Sequence, residues 1–403
     1  MDTILKLKFM KVLLVTGFTP YKENYKGISA LEYYLIKYRP TWVNIKIISY
    51  NLNLMKPSDI DIVKKELNCE IICIDSNGFL RKLLNNKLVR LLLKRNPNHY
   101  QRPGKTFEKI YKDFKPDVLW TYPNFYYCWA RLYTDTKMIT TSPDSNVLAE
   151  VRNDIDNVLE SSFLRKVYRL ITFSQTVNSE KKYLSPNNFI HFVGMNDLRM
   201  FRKVTNSTQA FFLLHPHYSL AEKKIRFDGI KIKVLIAGAY DIYMKSGIKD
   251  LVNVFLTHKE LSNLIDISFL GKNWNDIVKI LSLNNYECHN LGRVDNYLDE
   301  IIKYDVQLTP ITVGTGTKGK VLDAIANGLL CVGTPMALEN ICVRNFDSCI
   351  LYHNAEELYG IFTSMFYNRK KYELIAQKGR ENVRKYHSPQ RISKRFFEII
   401  KSI

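Results

Sequence analysis

No stretch of this 403-residue chain approaches the roughly 18 to 20 consecutive apolar residues that a bilayer-spanning helix requires, so a membrane-spanning protein is not expected. The start of the chain lacks an uninterrupted apolar run with a small-residue cleavage site, because Lys6, Lys8 and Lys11 break up its hydrophobic residues. Cytoplasmic residence is the expectation, with peripheral contact at the inner face of the membrane left open. The seven cysteines are odd in number and scattered, with no CxxC pair and no Cys/His cluster at zinc spacing. They are expected to be reduced, mostly buried thiols, and no metal site is expected. A repeat of short period and a low-complexity tract are also missing, which excludes solenoids and disordered linkers. Acidic residues are in the minority: 39 Asp and Glu stand against 59 Lys and Arg, a formal net charge of +20. Such a surface attracts nucleotide diphosphates, anionic headgroups and nucleic acids alike. Because no helix-turn-helix, zinc-finger or RNP-type signature accompanies the charge, a nucleic-acid partner is not expected.

What is present is enough apolar sequence for two cores, since a single core stops growing at about 250 to 300 residues. Short apolar runs followed by helical patterns point to parallel sheets covered by helices on both faces. The first series has strand candidates at 11–16, 44–49, 70–74, 117–120, 138–141, 170–173 and 189–193. Between 206 and 229 the pattern lapses into polar, proline-bearing sequence, and a second series begins at 231–238. It continues at 265–270, 288–291, 306–309 and 330–333. These strands end at Gly238, Gly271, Gly292, Pro310 and Gly333, which places loops at their carboxyl ends, where open α/β sheets bind ligands. The last segment, 388–403, opens with Ser-Pro and aligns Ile392, Phe396, Ile399, Ile400 and Ile403 on one face of a terminal helix.

The most informative segment is Gly314-Thr315-Gly316-Thr317-Lys318-Gly319-Lys320, which joins the strand at 306–309 to a helix. Its glycines let backbone approach a ligand without a Cβ collision. The first helical turn, with the helix dipole and Lys318 or Lys320, forms an anion site suited to a diphosphate. On that helix Val321, Leu322 and Ile325 make the expected buried stripe, and Asp323 falls on roughly the opposite side, free to accept bonds from ribose or sugar hydroxyls. A tight connection with solvated lysines and a solvated Asp323 is the alternative. The loop is not a P-loop, because Gly-x4-Gly-Lys-Ser/Thr is absent.

The run from Gly314 to Gly328, followed by Leu329-Leu-Cys-Val-Gly-Thr-Pro-Met-Ala-Leu-Glu-Asn-Ile341, resembles the nucleotide-sugar-binding region of glycosyltransferase family 4 and its relatives, in their Gly-Thr-Gly-x-Lys-Gly-Lys form. The tail Lys378-Gly-Arg-Glu-Asn-Val-Arg-Lys-Tyr-His-Ser388 is similar to theirs as well. The likeness is strong over about 231–400 and over 1–205 lies mainly in the order of elements. It implies an α/β fold of the GT-B type: two Rossmann-like, doubly wound parallel-sheet domains facing a cleft, with a C-terminal crossover helix. On that reading 1–206 binds a glycan or lipid-linked acceptor, 207–387 binds the nucleotide-sugar, and 388–403 packs back on the first domain. No metal and no cofactor beyond the nucleotide-diphosphate-sugar are implied, and retention at the anomeric carbon is suggested.

Carried over by position, Gly238 opens the matching glycine loop and Lys245 matches a lysine aimed at the donor diphosphate, with a solvated loop lysine as the alternative. The usual nearby arginine is missing, since Ala239 and Tyr240 stand there. Asp323 matches the second acid of the family's Glu-x7-Glu pair, while Thr315 takes the place of the first. In the first half, Gly17 and Gly27, with Lys26, occupy the position of the loop that faces the donor phosphate and the acceptor. Asp144, in Thr140-Thr-Ser-Pro-Asp-Ser-Asn146, is placed either to touch acceptor or sugar or to form a turn. The expected catalytic set is Asp323, Lys320 and Asp144. A nucleotide-sugar 2-epimerase on the same fold is the rival enzyme.

Two further stretches stand apart. Residues 79–95 place Leu80, Leu84, Leu88 and Leu91 at helical spacing among Arg81, Lys82, Arg90, Lys94 and Arg95, a basic amphipathic helix suited to an anionic membrane or to packing on a core. The aromatic run 120–129 either stacks on a sugar or fills core.

Overall fold

The computed structural model describes residues 9–24, 28–74, 86–100, 102–124, 129, 132–159, 162–182 and 185–403, without the side chains of 87 and 153–159. The chain forms two compact units: Met1–Pro216 with Pro389–Ile403, and His217–Ser388.

Unit 1 is a seven-stranded, all-parallel sheet in the order β3-β2-β1-β4-β5-β6-β7. In chain order its elements are β1 (Met10–Thr16), α1 (Ala30–Lys37), β2 (Val43–Ser49), α2 (Pro57–Leu67), β3 (Glu70–Cys73), α3 (Lys87–Leu92), α4 (Lys105–Phe114), β4 (Val118–Tyr122), β5 (Lys137–Ser142), α5 (Asn146–Leu159), α6 (Phe163–Lys182), β6 (Asn188–Phe192), α7 (Met195–Thr205) and β7 (Ala210–Phe212). A parallel strand covered on both faces is apolar without alternation, and Val12, Leu13, Leu14 and Val15 of β1 are all fully buried. Helix α2 starts with proline in its first turn and stops at Asn68, whose left-handed φ of 45° closes the C-terminus.

Two features depart from the sequence expectation. Residues 170–173 are not a strand but lie within α6, because no glycine or proline interrupts 163–182 and a four-residue apolar run carries no period of its own. Instead of lapsing after 206, the chain adds β7, a three-residue edge strand in register with β6 (Ile190 opposite Ala210), too short to leave a pattern.

Unit 2 is a six-stranded parallel sheet in the order β10-β9-β8-β11-β12-β13. Its elements are β8 (Ile232–Ala237), α8 (Lys245–Thr257), β9 (Ile265–Leu270), α9 (Asn275–Ser282), β10 (Cys288–Gly292), α10 (Tyr297–Ile301), β11 (Val306–Thr309), α11 (Gly319–Ala326), β12 (Leu330–Gly333), β13 (Ile350–Leu351), α12 (Glu357–Tyr367) and α13 (Arg369–Tyr386). One large core, including Ile236, Ile248, Phe255, Phe269, Trp274 and Phe362, lies on one face of the sheet, and a second, with Leu235, Leu270 and Leu329, lies on the other.

The last helix, α14 (Pro389–Ser402), belongs to unit 1. It buries Ile392, Phe396, Phe397 and Ile400, with Ile399 and Ile403 half-buried at the margin. The Phe396 and Phe397 rings pack on Trp120 at 4.9 and 6.2 Å between centroids, and Ser393 Oγ donates to the carbonyl of Leu35 at 2.6 Å. Trp120 and Trp129 are buried, so the described part of the aromatic run fills core. Among the described residues six cysteines are free, two of them buried, three half-buried and Cys73 exposed. No helix among the described residues is long and apolar enough to cross a membrane.

Candidate functional site

In an open parallel sheet the crevice for a ligand lies at the carboxyl ends of the two strands where the strand order reverses. In unit 2 those strands are β8 and β11. The loops that leave them carry Gly238 and Lys245 on one side and Gly314 to Lys320 on the other, so the fold brings these sequence-selected residues of unit 2 to one place.

Glycines set how closely the loops approach. A Cβ on Gly271 would stand 2.0 Å from the Gly238 carbonyl oxygen, and Trp274 Nε1 donates to that same oxygen at 2.8 Å, fixing the end of β8. A Cβ on Gly247 would meet the Pro310 oxygen at 2.2 Å, so this glycine seats the first turn of α8 against the end of β11. Thr312 N then donates to the Tyr243 carbonyl at 3.2 Å, tying the two loops together. Lys245 opens α8 with its side chain exposed.

Within the Gly-Thr-Gly-Thr-Lys-Gly-Lys loop, Gly314 and Gly316 have φ values of 133° and 64°, in the left-handed region that favours glycine. The Lys318 ammonium donates to the carbonyls of Thr315 (2.8 Å) and Gly316 (3.2 Å), and Asn340 Nδ2 donates to Gly316 at 3.2 Å. Lys318 therefore closes the loop on itself. Helix α11 starts at Gly319 without a side-chain cap, and the N–H groups of Gly319 and Lys320 make no hydrogen bond among the described residues. A Cβ on Gly319 would touch no protein atom, so the space over this turn is open.

Lys320 is the cation of this turn that makes no hydrogen bond or ion pair among the described residues. Its side chain is open to solvent along much of its length, yet its ammonium lies 6.0 Å from the centre of the Tyr297 ring. Crowding by protein lowers its pKa from 10.5, with Asp241 acting in the opposite sense. Among the described residues the Tyr297 hydroxyl is buried without a partner, and its pKa is raised first by burial and then by Asp323.

Asp323 is buried, not on a solvated face. Helix α11 is covered on all sides from Val321 to Ala326, because the segment after His217 runs along it. Asp323 Oδ1 accepts from Tyr218 N at 3.3 Å, and Asn327 Oδ1 accepts from Ala221 N at 2.6 Å. The amphipathic reading of this helix fails because its outer face is lined by main chain, which a polar side chain can satisfy.

In unit 1 the order reverses between β1 and β4. Gly17 is buried there, its N–H donating to the Tyr122 carbonyl at 3.1 Å. Thr19 and Asn53 exchange hydrogen bonds of 2.9 and 3.0 Å, which pins the loop to the end of β2. Gly27 and Lys26 lie outside the described residues. Asp144 is half-buried after β5, its carbonyl accepting from Ser142 Oγ at 2.5 Å. The next residue is held by two buried carboxylates that the sequence reading did not select: Ser145 N donates to Asp197 Oδ1 at 2.8 Å, and Ser145 Oγ and Val147 N donate to Glu180 Oε1 at 3.1 and 3.2 Å. Burial pushes the Glu180 carboxyl up to about 7 against the pull of these donors. Tyr297 was legible only as the residue after Asn296, whose side chain caps α10.

Among the described residues one group has the ligand types and spacing for a metal ion: Asp266, Glu287 and His289. Asp266 is the second residue of β9, at the end of the sheet opposite the switch-point loops, and the Lys231 ammonium already contacts Glu287 at 3.2 Å. Of the 79–95 stretch, 79–85 lie outside the described residues, and the helix ends at Leu92 instead of continuing to 95, with Leu93 extended.

No family model and no curated protein sequence matches the chain. Solved structures do. The Anabaena protein HepE in complex with UDP superposes with a TM-score of 0.64 at 10% identity over 98% of this chain and 100% of its own. Sucrose-phosphate synthase from Thermosynechococcus elongatus gives 0.63 at 11% identity over 98% of both chains. A glycosyltransferase from Rickettsia africae gives 0.59 at 12% identity, again over 98% of both. At such identities the likeness is one of fold: the chain has the GT-B architecture of two Rossmann-like parallel sheets.

Proposed function

We propose that the protein is a glycosyltransferase that moves a sugar from a nucleotide-diphosphate-sugar, held by unit 2, to a glycan or lipid-linked glycan acceptor held by unit 1. The observation that carries this reading is the switch-point loop of unit 2, where, among the described residues, neither the N–H groups of Gly319 and Lys320 nor the Lys320 ammonium makes a hydrogen bond. Glycosyl transfer leaves a diphosphate on which negative charge develops, and amides and an ammonium fixed in advance stabilise that charge without reorganising. Lys245, exposed at the start of α8, adds a second cation to the same loops. Asp323 acts through Tyr218 and the Tyr297 side of the site. This shifts its expected role from a direct sugar contact to a positioning one.

The finer features are proposals by resemblance: membership of glycosyltransferase family 4, retention at the anomeric carbon, independence of metal, cytoplasmic residence and a part in surface polysaccharide or glycoconjugate synthesis. One protein of this fold, Anabaena HepE, has been solved with UDP, with UDP and glucose and with UDP-glucose, which makes uridine nucleotides the first donors to try. The test is a thermal-shift screen with UDP-, GDP-, dTDP- and CMP-sugars, because a ligand that binds only the folded state raises the melting temperature. A shift of a few degrees at saturating concentration is expected with one nucleotide class, and no shift with any of them contradicts the donor site. Incubation of that donor without acceptor then separates transfer from 2-epimerisation, which alone would convert it.

A further inference from the structure

Strands β9 and β10 are parallel neighbours, with Ile267 opposite Cys288 and Ser268 opposite His289, and β10 is an edge of the sheet of unit 2. Side chains alternate between the two faces of a strand. Ile267 and Cys288 turn to the large core, so Asp266, Glu287 and His289 share the other face. The ladder reaches Glu287, whose carbonyl accepts from Ile267 N at 3.0 Å. All three side chains therefore stand on hydrogen-bonded strand backbone.

Their polar atoms converge. His289 Nε2 stands 3.3 Å from Asp266 Oδ1 and 3.8 Å from Glu287 Oε1, and one ligand atom from each residue lies within 4.8 Å of the other two. A tetrahedral ion with bonds of about 2.0 to 2.1 Å holds its ligand atoms about 3.3 to 3.4 Å apart. The trio is close to that spacing as it stands. Its most enclosed oxygen is also unsatisfied: Asp266 Oδ1 is shut off from solvent and, among the described residues, accepts no hydrogen bond, even from the nearby imidazole. A carboxylate oxygen held in this way is costly unless a cation meets it. Burial, joined by Glu287, holds the Asp266 pKa above its ordinary value in spite of His289, Lys231 and Lys233. The Lys231 ammonium contacts Glu287 through Oε2 at 3.2 Å, which leaves Oε1 on the side of His289 and fixes the carboxylate there.

We propose that Asp266, Glu287 and His289 bind one zinc-class divalent cation, completed by water, which ties the edge strand β10 to β9. An imidazole nitrogen within a set of three protein ligands suits zinc, whereas magnesium and calcium take six or more oxygen atoms. The ligand types lie on two strands more than a helix apart in the chain, so no cysteine–histidine spacing announces them. The ion lies at the end of the sheet opposite the switch-point loops and touches none of the residues assigned to the donor. Its role is structural, and the proposal does not rest on the donor reading.

The test is titration of the full chain, reduced and freed of metal, with zinc chloride in a calorimeter, with melting measured in the same solutions. Binding of zinc is expected to raise the melting temperature by a few degrees at about a hundredfold excess over its Kd. Magnesium chloride at the same concentration leaves it unchanged. In Asp266→Asn and in His289→Gln zinc affinity falls at least about tenfold, and the melting shift falls with it. The His289 side chain is half exposed, so its replacement leaves the metal-free protein folded. No binding of zinc, an equal shift with magnesium, or zinc bound equally well by the parent and both variants overturns the proposal. In the last case the ion is held elsewhere, for instance by the thiols, which the two variants leave untouched. A melting shift with a UDP-sugar that persists through any of these results shows that the metal proposal has failed and the donor site has not.

Discussion

Lysines 318 and 320 are indistinguishable in the sequence motif, and the fold gives them different work. Lys318 turns into its own loop, while the Lys320 ammonium, among the described residues, makes no hydrogen bond and lies near the ring of Tyr297. Replacing Lys320 by alanine removes one charge-assisted contact, so donor affinity is expected to fall by about 10- to 100-fold with the melting temperature of the free protein unchanged. Titration of the free and variant proteins with the donor by calorimetry checks this. The lowered pKa of Lys320 has a consequence of definite sign. As pH rises toward 10.5 the ammonium is lost earlier than an ordinary lysine would lose it, and donor binding weakens with it, whereas Lys320→Arg stays flat over the same range. The pKa of Glu180 is shifted in the other direction, upward, yet its contribution is likewise lost as pH rises. Its folded-state pKa of about 7 lies above the ordinary 4.5, so its stabilising contribution is complete below pH 4.5 and is lost as pH climbs through 7. Between those limits the parent protein is expected to lose on the order of 3 kcal/mol that Glu180→Gln does not lose, measured by denaturant unfolding at several pH values. Neither Glu180 nor Tyr297 could be singled out in the sequence, because what distinguishes them is burial among particular neighbours and not their spacing along the chain.

Among the elements, regularity governed what could be read in advance. The strand at 306–309, the glycine loop and the helix after it were legible because the apolar run, the glycines and the helical pattern occur in that order. The strand expected at 170–173 was not there, since Leu170 to Phe173 sit in an uninterrupted helix whose buried face is polar, a case in which hydrophobic periodicity points away from the core. Asp323 was misplaced for a related reason: helix α11 is surrounded by backbone that accepts a carboxylate and an amide as core residues. Gly319 separates packing from ligand approach at this scale. A Cβ there meets nothing in the protein, and its φ is not in the left-handed region, so Gly319→Ala should leave stability unchanged or raise it by about 0.5 kcal/mol. The same methyl stands over the N–H groups proposed to grip the diphosphate, and donor affinity is expected to fall at least about tenfold, because losing that contact costs more than about 1.4 kcal/mol. Denaturant unfolding and donor titration of the one variant read both effects. A loss of stability without loss of affinity would assign this glycine to folding alone.

For the molecule as a whole, two sheets of parallel strands were legible from the two series of apolar runs, and the six-stranded one puts its order reversal between β8 and β11, the strands whose loops carry the selected glycines and lysines. Short edge strands such as β7 and β13 were not legible, since two or three residues fix no pattern. The account centres on the claim that the start of α11 and the loop after β8 hold the donor diphosphate. Amide hydrogen exchange of the whole chain, with and without the nucleotide-sugar that raises the melting temperature most, tests it directly. Protection is predicted in 314–322 and 238–246, with unit 1 segments such as β2 and α4 unaffected. Protection confined to other parts of the chain, with those two segments exchanging as before, would contradict it.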